Sequence, residues 1–181
     1  MKTLETKRML LRAWQETDAD DMYAYAKNPL VGPSAGWKPH ENREESLRII
    51  AMFSKENVWA VVHKKDGKVI GSLGLHRDMR RSNARVHSLG YVLSPDYWGQ
   101  GLMVEAASAA IAHGFNTMEI DLISVVHYPL NAQSRRVIEK LGFRYEGTLR
   151  QATTLFTGQV HDDVCYSMTK EEWMNMTKYS Q

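Results

Sequence analysis

The fold of this chain is decided by the stretch Gly90-Tyr91-Val92-Leu93-Ser94-Pro95-Asp96-Tyr97-Trp98-Gly99-Gln100-Gly101-Leu102-Met103. An apolar strand stops at a proline, the chain turns through two glycines, and an alanine-rich apolar pattern then predicts a long helix. Free N–H groups at the positive end of a helix favour an anion, and glycine lets the backbone approach it without a Cβ in the way. The stretch therefore predicts a phosphate-binding turn.

Three nucleotide-binding motifs use such a turn, and the sequence argues against two of them. A dinucleotide fold needs a third glycine, but position 104 is Val and no suitable acidic residue follows. A Walker-type loop needs Gly-Lys-Ser/Thr, which the chain lacks. Pyrophosphate held by backbone groups alone, as for coenzyme A, remains as the functional interpretation. An ordinary connecting loop is the alternative.

Further blocks of the chain occur with this stretch in a fixed order. They are Leu4-Glu5-Thr6-Lys7-Arg8-Met9-Leu10-Leu11-Arg12, then residues 90–106, then Asn131-Ala132-Gln133-Ser134-Arg135-Arg136-Val137-Ile138-Glu139-Lys140-Leu141-Gly142-Phe143, and finally residues 158–162 with 166–173. Together they resemble the GNAT superfamily of acetyl-CoA-dependent N-acetyltransferases, and within it the ribosomal-protein N-terminal acetyltransferase group. The resemblance implies an α/β domain of the α+β type, with a mixed, mostly antiparallel twisted sheet flanked by helices.

The resemblance also implies where acetyl-CoA would bind. Pantetheine would lie along Tyr91, Val92 and Leu93, at a point where the strand splays from its neighbour and frees N–H groups to polarise the thioester carbonyl. The thiol would lie near Ser134, whose hydroxyl would protonate it. The remaining coenzyme contacts implied are Trp98, Gly99, Gln100, Gly101, Leu102, Met103, Asn131 and Arg135.

The chain departs from the family pattern at several of these positions. Trp98 stands where Arg or Gln is usual, and Met103 where Gly or Ala is usual. Ile138 replaces a tyrosine found in many members, and Ser88 replaces a frequent glutamate. The identity of a general base is therefore open.

Three residues are candidates for the acceptor side. Asp162 shares strand parity with Val164 and Tyr166, which predicts a carboxylate on the more apolar face. It is either held by a structural partner or faces the acceptor cleft, where it would act in catalysis by binding or deprotonating the amine. Trp37, in a long loop, is either a ligand wall or a packed lid. His76 is a candidate base, as are His87 and His161. Asp163, on the opposite face, is predicted to be solvated.

Composition sets wider limits. With 181 residues and 43% hydrophobic content, the chain is predicted to form one domain over residues 1–181. A formal net charge of +2 lacks the basic excess expected of a nucleic-acid binder. No metal-binding spacing, signal core or long apolar run is found in the sequence, so we expect no metal and no membrane association. The single cysteine fits a reducing, cytoplasmic location. The sequence does not reveal the oligomeric state.

Apolar periodicity alternates between helical and strand patterns along the chain. Helices are predicted at residues 18–27, 41–54, 99–115 and 131–141, with a polar loop at 28–40. Strands are predicted at residues 58–64, 68–76, 85–93, 120–127, 144–150 and 160–169.

The function implied by the resemblance is direct transfer of an acetyl group from acetyl-CoA to a primary amine. A protein N-terminal α-amine is favoured as the acceptor. A small amine, such as an aminosugar or antibiotic, is one alternative. A non-catalytic acyl-CoA binding domain is another, since none of the candidate bases is compelling.

Overall fold

A computed structural model describes residues 1–178 of the chain. The strands are β1 (Leu4–Glu5), β2 (Met9–Arg12), β3 (Val58–His63), β4 (Lys68–Arg77), β5 (Val86–Leu93), β6 (Leu122–His127), β7 (Arg144–Thr154) and β8 (Val160–Thr169). The helices are α1 (Ala19–Ala26), α2 (Gly32–Ala35), α3 (Arg43–Phe53), α4 (Leu102–Asn116), α5 (Ala132–Lys140) and α6 (Lys170–Lys178).

All eight strands form one sheet in the order β1-β2-β3-β4-β5-β6-β8-β7. Every neighbouring pair is antiparallel except β5 and β6, which run parallel. The connection between those two strands is α4, as a parallel pair requires a crossover. The predicted mixed, mostly antiparallel sheet flanked by helices is confirmed.

Apolar side chains cover both faces of the sheet. On one face, α4 packs its alanines against the sheet, and a Cβ added at Gly114 would lie 3.0 Å from Leu75 of β4. Small residues let this helix approach the sheet closely, which fixes its N-terminus relative to the end of β5. On the other face, α1 and α3 pack around Trp14 and Ile50.

Several predicted boundaries differ from the structure, among them the following two. Residues 28–40, predicted as a loop, contain α2, which ends at Gly36 with φ +91°. The helix predicted from Gly99 begins instead at Leu102. Gly99 and Gly101 have φ values of +76° and +72°, which a right-handed helix cannot contain.

The prediction that Asp163 is solvated is wrong. Its side chain is buried, pairs with the guanidinium of Arg80 and accepts a hydrogen bond of 3.0 Å from Thr153 Oγ1. The second face of β8 is not open to water because the β4–β5 loop, which carries Arg80, covers it. The alternation of side chains along β8 cannot show that a segment from elsewhere in the chain covers one face of that strand.

Within residues 1–178, none of the helices combines the length and apolar character needed to cross a membrane.

Candidate active site

Strands β5 and β6 part in the middle of the sheet. Their parallel pairing covers Val86, His87 and Ser88 of β5, opposite Leu122, Ile123 and Ser124 of β6. Beyond Ser88, β5 continues to Leu93 paired only with β4, and β6 continues to His127 paired only with β8. The gap between them is the splay that the family resemblance implied. It leaves backbone groups of residues 89–93 facing a cleft, where they can bind a ligand.

The glycine turn closes one end of this cleft. Its glycines hold positive φ angles, and α4 begins at Leu102 without a side-chain cap. Space around Gly99 is open, and the nearest atom to a Cβ added at Gly101 would be Arg8 Nη2 at 3.9 Å. The first N–H groups of α4 therefore point to an uncluttered surface suited to an anion.

Two side chains hold the turn in place. Arg8 donates from Nη1 to the carbonyl of Gln100 at 2.9 Å and pairs through Nε with Glu105 at 2.7 Å. Trp98 donates its indole N–H to the carbonyl of Leu93 at 2.8 Å. Trp98 thus ties the turn to the end of β5. Gln100, predicted to contact coenzyme, lies outside the cavity wall, whereas Trp98 lies on it.

A pair of hydroxyl groups lies on the α5 side of the cleft. Tyr91 Oη is 2.9 Å from Ser134 Oγ. Burial raises the pKa of Tyr91 to about 12, although the hydrogen bond with Ser134 lowers it in part. The phenol therefore stays protonated at neutral pH, and the pair can donate a proton toward the cleft.

Helix α5 presents one face to the cavity. The residues on that face are Gln133, Ser134, Arg136, Val137 and Lys140, which follow helical spacing. Arg135, predicted to bind coenzyme, points elsewhere and pairs with Glu139 at 2.8 Å. The cations on the cavity wall are Arg136 and Lys140, which sequence reasoning missed. Helical periodicity counted from Gln133 would have found them.

Asn131 links the two sides of the cleft. Its Oδ1 accepts a hydrogen bond of 3.0 Å from the backbone N–H of Ser134, which is the helix cap predicted from the sequence. Its Nδ2 donates to the carbonyl of Ser34 at 3.0 Å. This second bond ties α5 to α2 across the mouth of the cavity.

The wall opposite α5 comes from α2 and the end of β6. Leu30, Val31, Ser34 and Ala35 line it, together with Tyr128. Tyr128 was not singled out from the sequence, because nothing local distinguishes it from other loop tyrosines.

His127 also borders the cavity, but its ring is buried. Nδ1 lies 2.8 Å from the carbonyl of Tyr128, which can only accept, so Nδ1 carries the proton. Nε2 is itself buried and has no hydrogen-bond partner within residues 1–178.

The three residues predicted for the acceptor side do not line the cavity. Trp37 packs against the backbone of Gly32 and the ring of His40. His76 lies on β4 opposite Ser88 and beside Gly90, but it does not itself line the cavity, and its Nδ1 is 3.4 Å from Glu56 Oε2. Asp162 Oδ1 accepts from the backbone N–H of Gln151 at 2.8 Å, in the β7–β8 hairpin.

The cavity formed by these elements has a volume of about 510 Å³. It runs from the glycine turn, along the parted strands, to the mouth between α2 and Tyr128. This extended shape, with free N–H groups at the glycine turn, cations on the α5 wall and apolar side chains elsewhere, suits a long phosphorylated ligand with an apolar arm. In the described part of the chain, no group of three His, Cys, Asp or Glu side chains is arranged to hold a metal ion.

A match to the acetyltransferase (GNAT) domain family covers residues 8–144 of the chain. Two curated relatives extend over nearly the whole length. An uncharacterized N-acetyltransferase of Bacillus subtilis, YoaA, is 29% identical over 92% of this chain and 96% of its own. The [ribosomal protein uS5]-alanine N-acetyltransferase of Escherichia coli is 29% identical over 94% of this chain and 92% of its own.

Among solved structures, an acetyltransferase of the GNAT family from Bacillus anthracis superposes with a TM-score of 0.86. It is 22% identical, and the match covers 94% of this chain and all of that one. At that identity the likeness shows the fold.

Proposed function

The chain belongs to the GNAT acetyltransferase family, and from this premise we propose that it transfers the acetyl group of acetyl-CoA to the α-amine at a protein N-terminus. Family membership and relatives named as N-acetyltransferases support an enzyme that uses acetyl-CoA, rather than a non-catalytic binding domain. Family membership alone does not identify the acceptor.

The cleft offers a place for each part of acetyl-CoA. Pyrophosphate would bind the N–H groups after Gly101, and the pantetheine arm would pair with the edge of β5 that β6 leaves free. Arg136 and Lys140 would supply positive charge to the phosphates. The thioester would then lie near Ser134, between α5 and the mouth.

Transfer needs no covalent enzyme intermediate. The neutral amine attacks the thioester carbonyl, a C–N bond forms, and the C–S bond breaks to release the coenzyme thiolate. A backbone N–H of β5 would stabilise the developing oxyanion. The Tyr91–Ser134 pair would return a proton to the sulfur, and the proton lost by the amine would pass to water.

One observation carries the choice of acceptor. Among residues 1–178, those that line the cavity include cations and hydroxyl groups but neither Asp nor Glu. A site without a carboxylate has no carboxylate base and no anion to hold a polycationic aminoglycoside, and the ring of His127, which borders the cavity, is buried. It suits an amine that is already partly neutral: at pH 7, roughly a tenth of an α-amine is neutral, against under roughly a thousandth of a lysine side chain. The Escherichia coli relative is named for a ribosomal-protein alanine acceptor.

The decisive experiment offers both kinds of amine in one molecule. Peptides with a free N-terminal alanine or serine and an internal lysine are incubated with the protein and acetyl-CoA, and the modified nitrogen is located by mass spectrometry. We expect acetylation at the α-amine. Copies of the same peptides with a blocked N-terminus are the control and should stay unmodified.

Acetylation chiefly at lysine would contradict the proposal. A panel of single small amines, assayed by release of free thiol, tests the remaining alternative. Faster turnover of a small amine than of any peptide would show that the acceptor is a small molecule and not a protein N-terminus.

A further inference from the structure

The cleft has two sides, and the parts suited to coenzyme occupy one of them. Tyr91 of β5 points to the face that carries α4 and α5, where its hydroxyl meets Ser134. Val92 points to the opposite face, which carries α1, α3 and the segment with Val31. An amine attacking a thioester held on the α5 side must therefore enter from the α2 side.

Tyr128 is a polar side chain at that entrance. It follows β6 directly, lines the cavity and is partly exposed. Its ring packs on His161 with centroids 5.2 Å apart, which fixes its orientation. Its hydroxyl makes no hydrogen bond with any residue from 1 to 178, so both its donor and its acceptor capacity remain available.

The segment around α2 is shaped to leave room for this hydroxyl. A Cβ added at Gly36 would lie 2.5 Å from Tyr128 Oη, so only glycine fits against the hydroxyl at this position. The Ser34–Asn131 hydrogen bond holds α2 in place next to this contact. The hydroxyl thus has a fixed location although no protein group binds it.

We infer that the Tyr128 hydroxyl binds and orients the acceptor amine. The inference rests on the proposed transfer to an amine. The phenolic oxygen accepts a hydrogen bond from one N–H of the acceptor, which directs the nitrogen lone pair toward the thioester between β5 and α5. Burial, together with the charge of Asp163, raises the pKa of Tyr128, while Arg80 lowers it in part. The phenol is therefore a neutral hydrogen-bonding group and not a base.

The first test replaces Tyr128 by Phe, which keeps the ring on His161 and removes only the hydroxyl. Loss of one hydrogen bond to the acceptor predicts a fall of about tenfold in kcat/KM for the amine. The KM for acetyl-CoA, the acceptor-free hydrolysis of acetyl-CoA and the Tm should not change. Tyr145→Phe is the matched control, because Tyr145 is 60% exposed on β7 and lies outside the cavity.

The second test moves the hydroxyl without removing it. Gly36→Ala places a methyl group against Tyr128 Oη, whereas Gly67→Ala imposes a similar positive-φ cost in open space. We expect a loss of acceptor kcat/KM in the first variant alone. In a Tyr128→Phe background the added methyl faces a ring carbon 3.7 Å away, so Gly36→Ala should then cause little further loss.

Unchanged acceptor kcat/KM in Tyr128→Phe would overturn the inference. So would a parallel loss in acceptor-free hydrolysis, because that result would assign Tyr128 to the coenzyme side. The measurements are made on an α-amine peptide and on a small amine. If only the small amine is acetylated, the protein N-terminus fails as the acceptor, and the tenfold loss on that amine still decides the role of Tyr128.

Discussion

The hydroxyl oxygens of Tyr91 and Ser134 lie 2.9 Å apart, joining the free edge of β5 to the first turn of α5. The two residues are 43 positions apart in the chain. Their contact brings a proton donor to the place where the coenzyme thiol is expected. Each hydroxyl orients the other, so they act as one unit.

Ser134→Ala should lower turnover about tenfold and leave acetyl-CoA affinity nearly unchanged, because a proton donor matters only as charge develops on sulfur. Tyr91→Phe should cause a similar loss, and the double variant little more than either alone. The matched control is Ser108→Ala, which removes an exposed α4 hydroxyl that bonds only the carbonyl of Val104. Steady-state kinetics and calorimetry separate the two parameters. A weakened affinity with unchanged turnover would make Ser134 a binding residue.

Because the pKa of Tyr91 is raised to about 12, its phenol remains protonated through the alkaline range used for such assays. The single-turnover rate should therefore show no fall assignable to this group between pH 8 and about pH 10. A wild-type decline in this range that disappears in Tyr91→Phe would contradict the assignment.

Gly101→Val should weaken acetyl-CoA binding at least tenfold. The branched Cβ enters the surface where phosphate oxygens would approach the backbone, at a φ of +72°. Gly67→Val is the control, since Gly67 has a φ of +66° in open space and does not line the cavity. Both variants should lose a similar amount of stability, and only the first should lose affinity. If a folded Gly101→Val protein binds acetyl-CoA with wild-type affinity, the turn is not part of the binding site.

Arg136→Gln should lower acetyl-CoA affinity several-fold at low salt, and by less at high salt, since partly exposed charges are screened. Arg135→Gln is a neighbouring control of identical chemistry, because Arg135 pairs with Glu139 away from the cavity. Calorimetric titrations at two ionic strengths check both. A larger loss of acetyl-CoA affinity from Arg135→Gln than from Arg136→Gln would support the sequence-based prediction that Arg135 binds coenzyme.

Asp162→Asn should leave the pH profile of turnover unchanged, because an asparagine Oδ1 can still accept from the N–H of Gln151. Asp163→Asn should instead cost about 2 kcal/mol of unfolding free energy, since it weakens a buried contact with Arg80. Chemical denaturation and pH–rate curves of both variants distinguish the two roles. A lower turnover of Asp162→Asn on the acidic side of the pH profile would show that Asp162 takes part in the mechanism.

Much of the geometry of the glycine turn could be predicted from the sequence. Two glycines with positive φ, a proline before them and an apolar helix after them are local properties, and local backbone preferences encode them. The cap at Asn131 is equally local. The order of strands and helices also follows from periodicity, because each element repeats its pattern within a few residues.

What the tertiary structure decided is which side chains meet. Arg80 and Asp163 are 83 positions apart, and Ser34 and Asn131 are 97 apart. No pattern along one element reveals such partners, since they depend on the order of strands in the sheet and on the loops that cover it. The position of Tyr128 at the cavity entrance could not be predicted for the same reason. Tyr128 lies beside Gly36 only because β6 diverges from β5 and α2 packs across the gap between them.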